Sequence, residues 1–281
     1  MTASLLFDDL VRATLREDLG LAGDVTTDAI VPEALTASAA LVARKPGVVV
    51  GLDVAIHAFR VLDPNMSVKI EHPDGRKIAA GETIATFTGK ARALLTAERT
   101  ALNFLCHLSG IATATADLCG ATSGHKARIV CTRKTTPGLR ALEKYAVRMG
   151  GGGNHRFGLD DAVLIKDNHI AIAGGIRPAV ERARQHAGHL TKIEVEVDTL
   201  TQLEEVLSLE VDVVLLDNMS PAMLSTAVKM IEGRCLAEAS GNVTRETVAA
   251  IAASGVDLIS VGWLTHSAPA LDIGLDFLPS P

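Results

Sequence analysis

Arg133, Lys134, His155, Arg156 and Lys166 all fall between residues 130 and 169 of a chain whose net charge is −6. Two strand-like runs, IVCTRK and AVLIKDNH, lead into these cations, with the helical stretch LRALEKYAVRM between them. If the strands are parallel neighbours, their ends lie together and the cations converge. Fixed positive charges around one small space repel one another unless an anion joins them. The stretch therefore reads as a site for a multiply charged anion. Arg133 and Arg156 suit planar carboxylates, which a guanidinium grips through two hydrogen bonds, whereas Lys134 and Lys166 are compact charges suited to phosphate or a developing negative centre. Lys144 and Arg148 lie in the helix, where a solvated face accounts for them.

The elements that must position these groups follow from the pattern after residue 120, where strand and helix alternate. Strands are expected at ARIVCTRK, DAVLIKDN, TKIEVEVD, VDVVLLDN, RCLAEASG and VDLISVG. Thr199 to Gln202 forms a capping box, Ser220-Pro221 an N-cap followed by proline, and Gly255 a helix stop. Apolar parallel strands alternating with helices form a covered α/β sheet, and six such units favour a barrel. Each strand begins apolar and ends polar: Thr132-Arg133-Lys134, Lys166 to His169, Glu196-Val197-Asp198, Asp217-Asn218, Ser240-Gly241-Asn242 and Gly262. In α/β barrels those ends form the active-site face. Glu196 and Asp217 either pair with neighbouring lysines or hold ribose hydroxyls and a hydrated Mg2+. Ser240-Gly241-Asn242 and Val261-Gly262-Trp263 are small-residue turns of the kind that hold phosphate through backbone N–H groups. The run Gly150 to Gly153 lacks the Gly-Lys-Ser/Thr of a P-loop and reads as a flexible turn positioning His155 and Arg156. His57, His107 and His189 show no metal-ligand spacing.

The first third has α+β character. A helix is expected over 5–19, strands over 36–50, a helix at LDVAIHAFRVL, and antiparallel strands with a hairpin turn at Asp74-Gly75. The helix LLTAERTALNFLCHL should end at Ser109-Gly110, with Leu95, Leu102, Leu105 and Cys106 on its buried stripe. Arg99 lies on that stripe too, either as a snorkelling side chain or aimed at an anion.

Composition sets the class. With 281 residues, 48% hydrophobic and 21% charged, the chain is globular and large enough for one or two domains. The acidic balance excludes general nucleic-acid binding. The four cysteines, none in a CxxC pair, are expected as reduced thiols. The N-terminus lacks signal-peptide features and no stretch approaches the ~18 apolar residues of a membrane span, so a cytoplasmic protein away from membranes is expected.

The stretch TRKTTPGLRALEKYAVRMGGGGNHRFGL followed by LIKDNHI resembles the signature of the quinolinate phosphoribosyltransferase family. ERTALNFLCHLSGIAT, IEVEVD, LLDN, EASGN and LTHSAPALDIGLDF are similar as well, so the resemblance covers nearly the whole chain. It implies an N-terminal α+β sandwich domain (1–110), an irregular α/β barrel (111–267) and a tail (268–281) packing back on the first domain. It implies transfer of phosphoribosyl from phosphoribosyl pyrophosphate to quinolinate with loss of CO2, and a homodimer or higher oligomer in which one subunit covers the other's barrel mouth. Carried over position by position, Arg99 would reach the partner's site. There it would bind a quinolinate carboxylate, and Arg133, His155, Arg156 and Lys166 would form the rest of the dicarboxylate pocket, with Thr132 a further substrate-binding residue. Lys134 and Lys166 would face the phosphoribosyl pyrophosphate, with Glu196 and Asp217 on ribose hydroxyls and Mg2+. Lys134, Lys166, Glu196 and Asp217 would be catalytic. Ser240, Gly241, Asn242, Val261, Gly262 and Trp263 would surround phosphate, with His266 close by. Family members more often carry a small residue at Trp263, so its backbone is expected to serve while its side chain points away. Three rivals are a phosphoribosyltransferase for nicotinic acid, a molybdenum-associated homologue and a non-catalytic anion sensor. The surplus of cations, the intact KDNHI segment, and the retention of Glu196, Asp217 and Lys134 count against them in turn.

Overall fold

The computed structural model describes residues 6–279. In chain order it begins with α1 (Asp8–Leu19), α2 (Val25–Ile30), β1 (Thr36–Ala43), β2 (Gly47–Val48), α3 (Leu52–Leu62), β3 (Ser67–Ile70), β4 (Lys77–Ile78), β5 (Thr83–Lys90) and α4 (Ala91–Ala121). There follow β6 (Arg128–Val130), α5 (Arg140–Met149), β7 (Val163–Ile165), α6 (Asp167–Ala173), α7 (Ile176–His186), β8 (Ile193–Val197), α8 (Leu200–Leu207) and β9 (Val213–Asp217). The chain closes with α9 (Pro221–Ile231), β10 (Leu236–Ser240), α10 (Val248–Ala253), β11 (Leu258–Ser260), α11 (Trp263–His266) and β12 (Ile273–Phe277). These elements form two compact units, one of Met1–Ala114, Ala141–Gly150 and Ala268–Pro281, the other of Thr115–Arg140 and Gly151–Ser267.

In the first unit, β12-β1-β5-β3 form an antiparallel sheet, and β2 pairs separately with β4. The tail therefore supplies an edge strand, Ile273–Phe277, laid along β1. The expected hairpin at Asp74-Gly75 does not form. The turn is present, with Gly75 at φ +84°, but β3 and β4 on either side of it join different sheets. Asp74 instead accepts the backbone N–H groups of Gly51 and Leu52, each at 3.0 Å, and so satisfies the open start of α3.

Helix α4 also departs from expectation, because it runs through Ser109-Gly110 instead of stopping there. Ser109 Oγ accepts the N–H of Val50 and donates to its carbonyl, which ties the hydroxyl to a neighbouring segment. Gly110 serves close approach, since a Cβ there would collide with the Pro269 carbonyl oxygen. The buried side of the helix is Leu94, Ala97, Ala101, Leu105 and Leu108. Arg99 lies off that side and is exposed, contrary to the stripe inferred from Leu95 and Leu102.

Helix α5 corrects a further expectation. Lys144 is fully buried rather than solvated, as are Glu143, Ala146 and Val147, whereas Arg148 is exposed. Glu143 binds His107 Nε2 at 2.9 Å and Tyr145 donates to Asp74 at 3.1 Å, both within the first unit. These polar contacts place most of α5 with that unit although its sequence interrupts the second.

The second unit carries six parallel strands in the order β6-β11-β10-β9-β8-β7. The first strand lies beside the last, which an α/β sheet achieves by curling into a barrel. The opening falls between β6 and β7. There Gly153 forms a parallel bridge to Val130, its N–H reaching the Ile129 carbonyl at 2.8 Å and its carbonyl accepting from Cys131 at 3.1 Å. The glycine run is thus a strand-edge piece as well as a turn. Alanine at position 110 tests the packing account of α4. In an open helix Gly→Ala gains about 0.5–1 kcal/mol. We expect Gly110→Ala to lose about 1–3 kcal/mol through overpacking against Pro269, read as a lower thermal midpoint. A raised midpoint would contradict the close approach.

Candidate active site

Parallel pairing puts every strand's carboxyl end at one rim. Thr132, Arg133 and Lys134 follow β6, and Lys166 follows β7. Glu196 lies near the end of β8, while Asp217 and Ser240 are the last residues of β9 and β10. These seven residues, with His155 and Arg156, line one cavity of about 400 Å³. An adjoining cavity of about 380 Å³ shares Thr132, Lys134, Asp217 and Ser240 and adds Gly241, Asn242, Val261, Gly262, Trp263 and His266. The rim residues singled out in the barrel segment therefore meet, whereas Arg99 belongs to the other unit. Exposed on α4, Arg99 makes no hydrogen bond or ion pair among the described residues.

The first cavity is built around two guanidinium groups. Arg156 donates to the Ala162 carbonyl at 3.0 Å. Burial, and next the nearby Arg133 charge, hold its pKa below the ordinary value, while Glu194 and Asp161 pull it up. Arg133 Nε is buried without a hydrogen-bond partner among the described residues. Two neighbouring cations with a buried donor to spare are the complement of an anion carrying more than one negative charge. Lys166 Nζ reaches Glu196 Oε2 at 3.0 Å across the same cavity, between adjacent strands. Its backbone N–H is taken by His169 Nδ1 at 2.9 Å, so the KDNHI segment turns into α6 at once instead of prolonging β7.

His155 lines the first cavity with its ring nitrogens engaged by neighbouring protein groups. Its Nδ1 accepts the Arg156 backbone N–H at 2.7 Å, which assigns the ring hydrogen to Nε2, and Nε2 donates to Glu194 Oε2 at 2.9 Å. Both ring nitrogens are used inside the protein, leaving the ring itself as cavity wall. Glu194 and Glu238 are 6% and 2% exposed, and sequence reading passed over both. The available signal was spacing: Glu194 lies two residues before Glu196 and so points to the same side of β8. A glutamate at an inward position of a buried parallel strand has a reason to be there. His155, Glu194 and Glu238 bring one donor atom each within 4.8 Å, a spacing that suits a metal. The hydrogen on Nε2 leaves that nitrogen no lone pair for one.

The second cavity is shaped by backbone. Asn218 and Asn242 adopt φ +52° and +50°, and Gly241 lies at +89°. These left-handed positions favour Asn and Gly. Asn218 Nδ2 donates to Asp217 at 2.6 Å, and Asn242 Nδ2 donates to Asn218 Oδ1 at 3.0 Å. A Cβ on Gly241 would collide with that same Oδ1. The LLDN and ASGN turns therefore interlock, and Asn218 is a further site residue that lay unused beside Asp217. Gly262 leaves room for Lys134, whose Cδ would be 3.0 Å from an added Cβ. Thr265 Oγ1 fixes the Lys134 carbonyl at 2.8 Å, and Lys134 N–H is held by Thr132 Oγ1 at 3.0 Å. Trp263 Nε1 is bonded to the Val243 carbonyl at 2.9 Å, anchoring its ring at the cavity edge. His266 is exposed and bonded through Nδ1 to Ser267.

A wider cavity, about 740 Å³, lies at the opposite end of the strands. Its Lys126–Asp257 and Lys192–Asp212 pairs neutralise each other, and Asp212 and Asp257 also cap backbone N–H groups, which makes a structural rim. Among the described residues no helix is long and apolar enough to cross a membrane. The four cysteines are free.

The chain matches two family models, the quinolinate phosphoribosyl transferase N-terminal domain over residues 24–109 and its C-terminal domain over 111–276. It is 46% identical to the nicotinate-nucleotide pyrophosphorylase [carboxylating] of Mycobacterium leprae over 275 residues, 95% of this chain and 96% of that one. It is 41% identical to quinolinate phosphoribosyltransferase [decarboxylating] 1 of Nicotiana glauca, covering 95% of this chain and 81% of that one. The solved nicotinate-nucleotide pyrophosphorylase of Francisella tularensis superposes with a TM-score of 0.94 at 40% identity, covering 99% and 98% of the two chains.

Proposed function

The chain belongs to the quinolinate phosphoribosyl transferase family, and from that premise we propose how its rim residues divide the work. The enzyme transfers phosphoribosyl from phosphoribosyl pyrophosphate to quinolinate with decarboxylation, giving nicotinate mononucleotide, pyrophosphate and CO2, a step of NAD biosynthesis. Arg133 and Arg156 grip the two quinolinate carboxylates, with Lys166 beside them. The observation that carries this is the adjacent guanidinium pair in a cavity that opens onto a second, turn-lined one. His155 positions Arg156 and the cavity wall without touching a carboxylate through nitrogen.

The turns at Ser240-Gly241-Asn242 and Val261-Gly262-Trp263 hold phosphate, with Lys134 and His266 at the junction of the cavities. Glu196 and Asp217 lie between the two substrates. Glu196 Oε1 and Asp217 Oδ1 have no hydrogen bond among the described residues, so the carboxylates fit a hydrated Mg2+ carried by the pyrophosphate. When bound, Mg2+ supplies charge neutralisation to the leaving pyrophosphate. The protein's own groups orient the pyridine nitrogen toward the anomeric carbon and hold the negative charges around it. Once ribosylated, the ring nitrogen is positive and stabilises the electron pair left when the adjacent carboxylate departs. No covalent nucleophile is needed. A nicotinic acid enzyme or an anion sensor has no use for the second guanidinium or for the acids facing Lys166.

We also place the enzyme in the cytoplasm, which its free thiols suit. A homodimer, or a higher oligomer built from it, accounts for Arg99, a cation without a hydrogen bond or ion pair among the described residues, which would complete the other subunit's pocket.

Purified protein with Mg2+ is expected to release CO2 from quinolinate and phosphoribosyl pyrophosphate. Turnover of nicotinic acid but not quinolinate would contradict the dicarboxylate assignment. Arg99→Ala and Lys134→Ala proteins, each inactive alone, should recover about a quarter of wild-type activity after subunit exchange, because half the dimers then hold one intact site of two. Absence of recovery despite demonstrated exchange would remove the shared site.

A further inference from the structure

Glu196 and Asp217 stand at the cavity rim, but Glu238 lies deeper, two residues before the end of β10, and lines the same cavity. Its Oε1 is buried with no hydrogen-bond partner among the described residues and is 3.7 Å from His155 Nε2, too far to share that hydrogen. The imidazole N–H is already given to Glu194. The Ser260 hydroxyl, a neutral donor, is then what stabilises a negative charge on Glu238, together with the more distant His155 ring. The charged groups facing it are Glu194 from β8 and His155 from the segment after α5. On the flanking strands, β11 contributes the Ser260 hydroxyl and β9 the aliphatic Leu215. Burial first, and the Glu194 carboxylate second, push Glu238 up to about 7, while His155 and Ser260 pull the other way. Behind the cluster is another cavity of about 320 Å³, lined by the same three side chains together with Arg128 and Lys192. Glu238 thus stands between the substrate cavity and a second space toward the amino ends of the strands.

The reaction leaves one proton to be supplied. Departure of CO2 puts an electron pair on the ring carbon beside the nitrogen, and the product carries hydrogen there. We propose that Glu238 donates this proton, an inference that rests on the reaction assigned above. The bond between ring carbon and carboxylate breaks and its electron pair stays on the ring carbon. CO2 leaves, and the pair takes the hydrogen from the Glu238 O–H. The carboxylate so formed recovers a proton from water. A lysine in this role would give up the charge that holds the anion. A carboxylic acid kept neutral beforehand adds no charge until CO2 has gone, and its new negative charge then replaces the one the substrate lost.

The test compares Glu238→Gln with wild type. The amide keeps the shape but carries no acidic proton. We expect kcat to fall about 100-fold, with the quinolinate KM held within about threefold. Wild-type kcat should decline as pH rises through a value at or above about 7, because the donor must be protonated and a bound dianion raises its pKa further. The glutamine variant should lose that alkaline limb. A purely structural role would lower the thermal midpoint or raise KM and leave the limb in place. A variant with kcat within about twofold of wild type, or with the limb unchanged, overturns the proposal. Should the glutamine variant fail to fold, Glu238→Asp decides. It retains an acid, so the limb must persist at a displaced pH with reduced kcat, and a limb that is absent or unmoved overturns the proposal. Wild-type protein that releases no CO2 from quinolinate would overturn the reaction itself. Normal wild-type turnover with an unaffected glutamine variant removes the proton donor alone.

Discussion

Two guanidinium groups confined at one barrel rim repel each other, and the rest of the site is arranged around that repulsion. Arg133 and Arg156 are partly buried, so water screens their charges poorly. Glu194 tempers the Arg156 charge and is itself held by His155. Burial, and next the Glu194 carboxylate, raise the pKa of Glu238 and so favour its protonated form. The cavity therefore keeps a positive surplus that a dianion neutralises. Each charged hydrogen bond in such a setting contributes about 1.5–3 kcal/mol, enough to separate a diacid from a monoacid.

The barrel makes this arrangement possible through direction. Parallel strands deliver all six carboxyl ends to the same rim, so residues spread from Thr132 to Gly262 share two adjoining cavities. Setting β6 beside β11 brings Lys134 against Gly262 and Thr265, at the edge of the second cavity. The interlocked turns at Asn218 and Gly241-Asn242 rely on left-handed backbone that Asn and Gly accept with little strain.

Much of this was legible in the residues. Alternating strand and helix patterns locate all six barrel strands, because apolar parallel strands and their helix caps are local signals. Polar strand ends such as Thr132-Arg133-Lys134 mark the rim for the same reason. Long-range packing was not legible. Ser109-Gly110 resembles a helix stop, yet the glycine is there for the Pro269 carbonyl, a partner far along the chain. Lys144 has the spacing of a solvated helix residue and is buried, since α5 packs with the first unit. Asp74-Gly75 has hairpin chemistry, but its flanking strands find other partners. Glu194 and Glu238 were missed because site positions were sought only at the strand ends, and depth within a barrel depends on closure that no short window reveals.

The central claim is that the cavity's paired guanidinium groups select for two carboxylates, and calorimetric titration measures it without turnover. Quinolinate and nicotinate would each be titrated into wild-type protein and into Arg133→Met at fixed ionic strength. The account predicts that wild type prefers quinolinate by roughly 10-fold to 100-fold, and that this preference largely disappears in Arg133→Met. Equal affinity of wild type for the two acids, or a preference that survives the substitution intact, would contradict it.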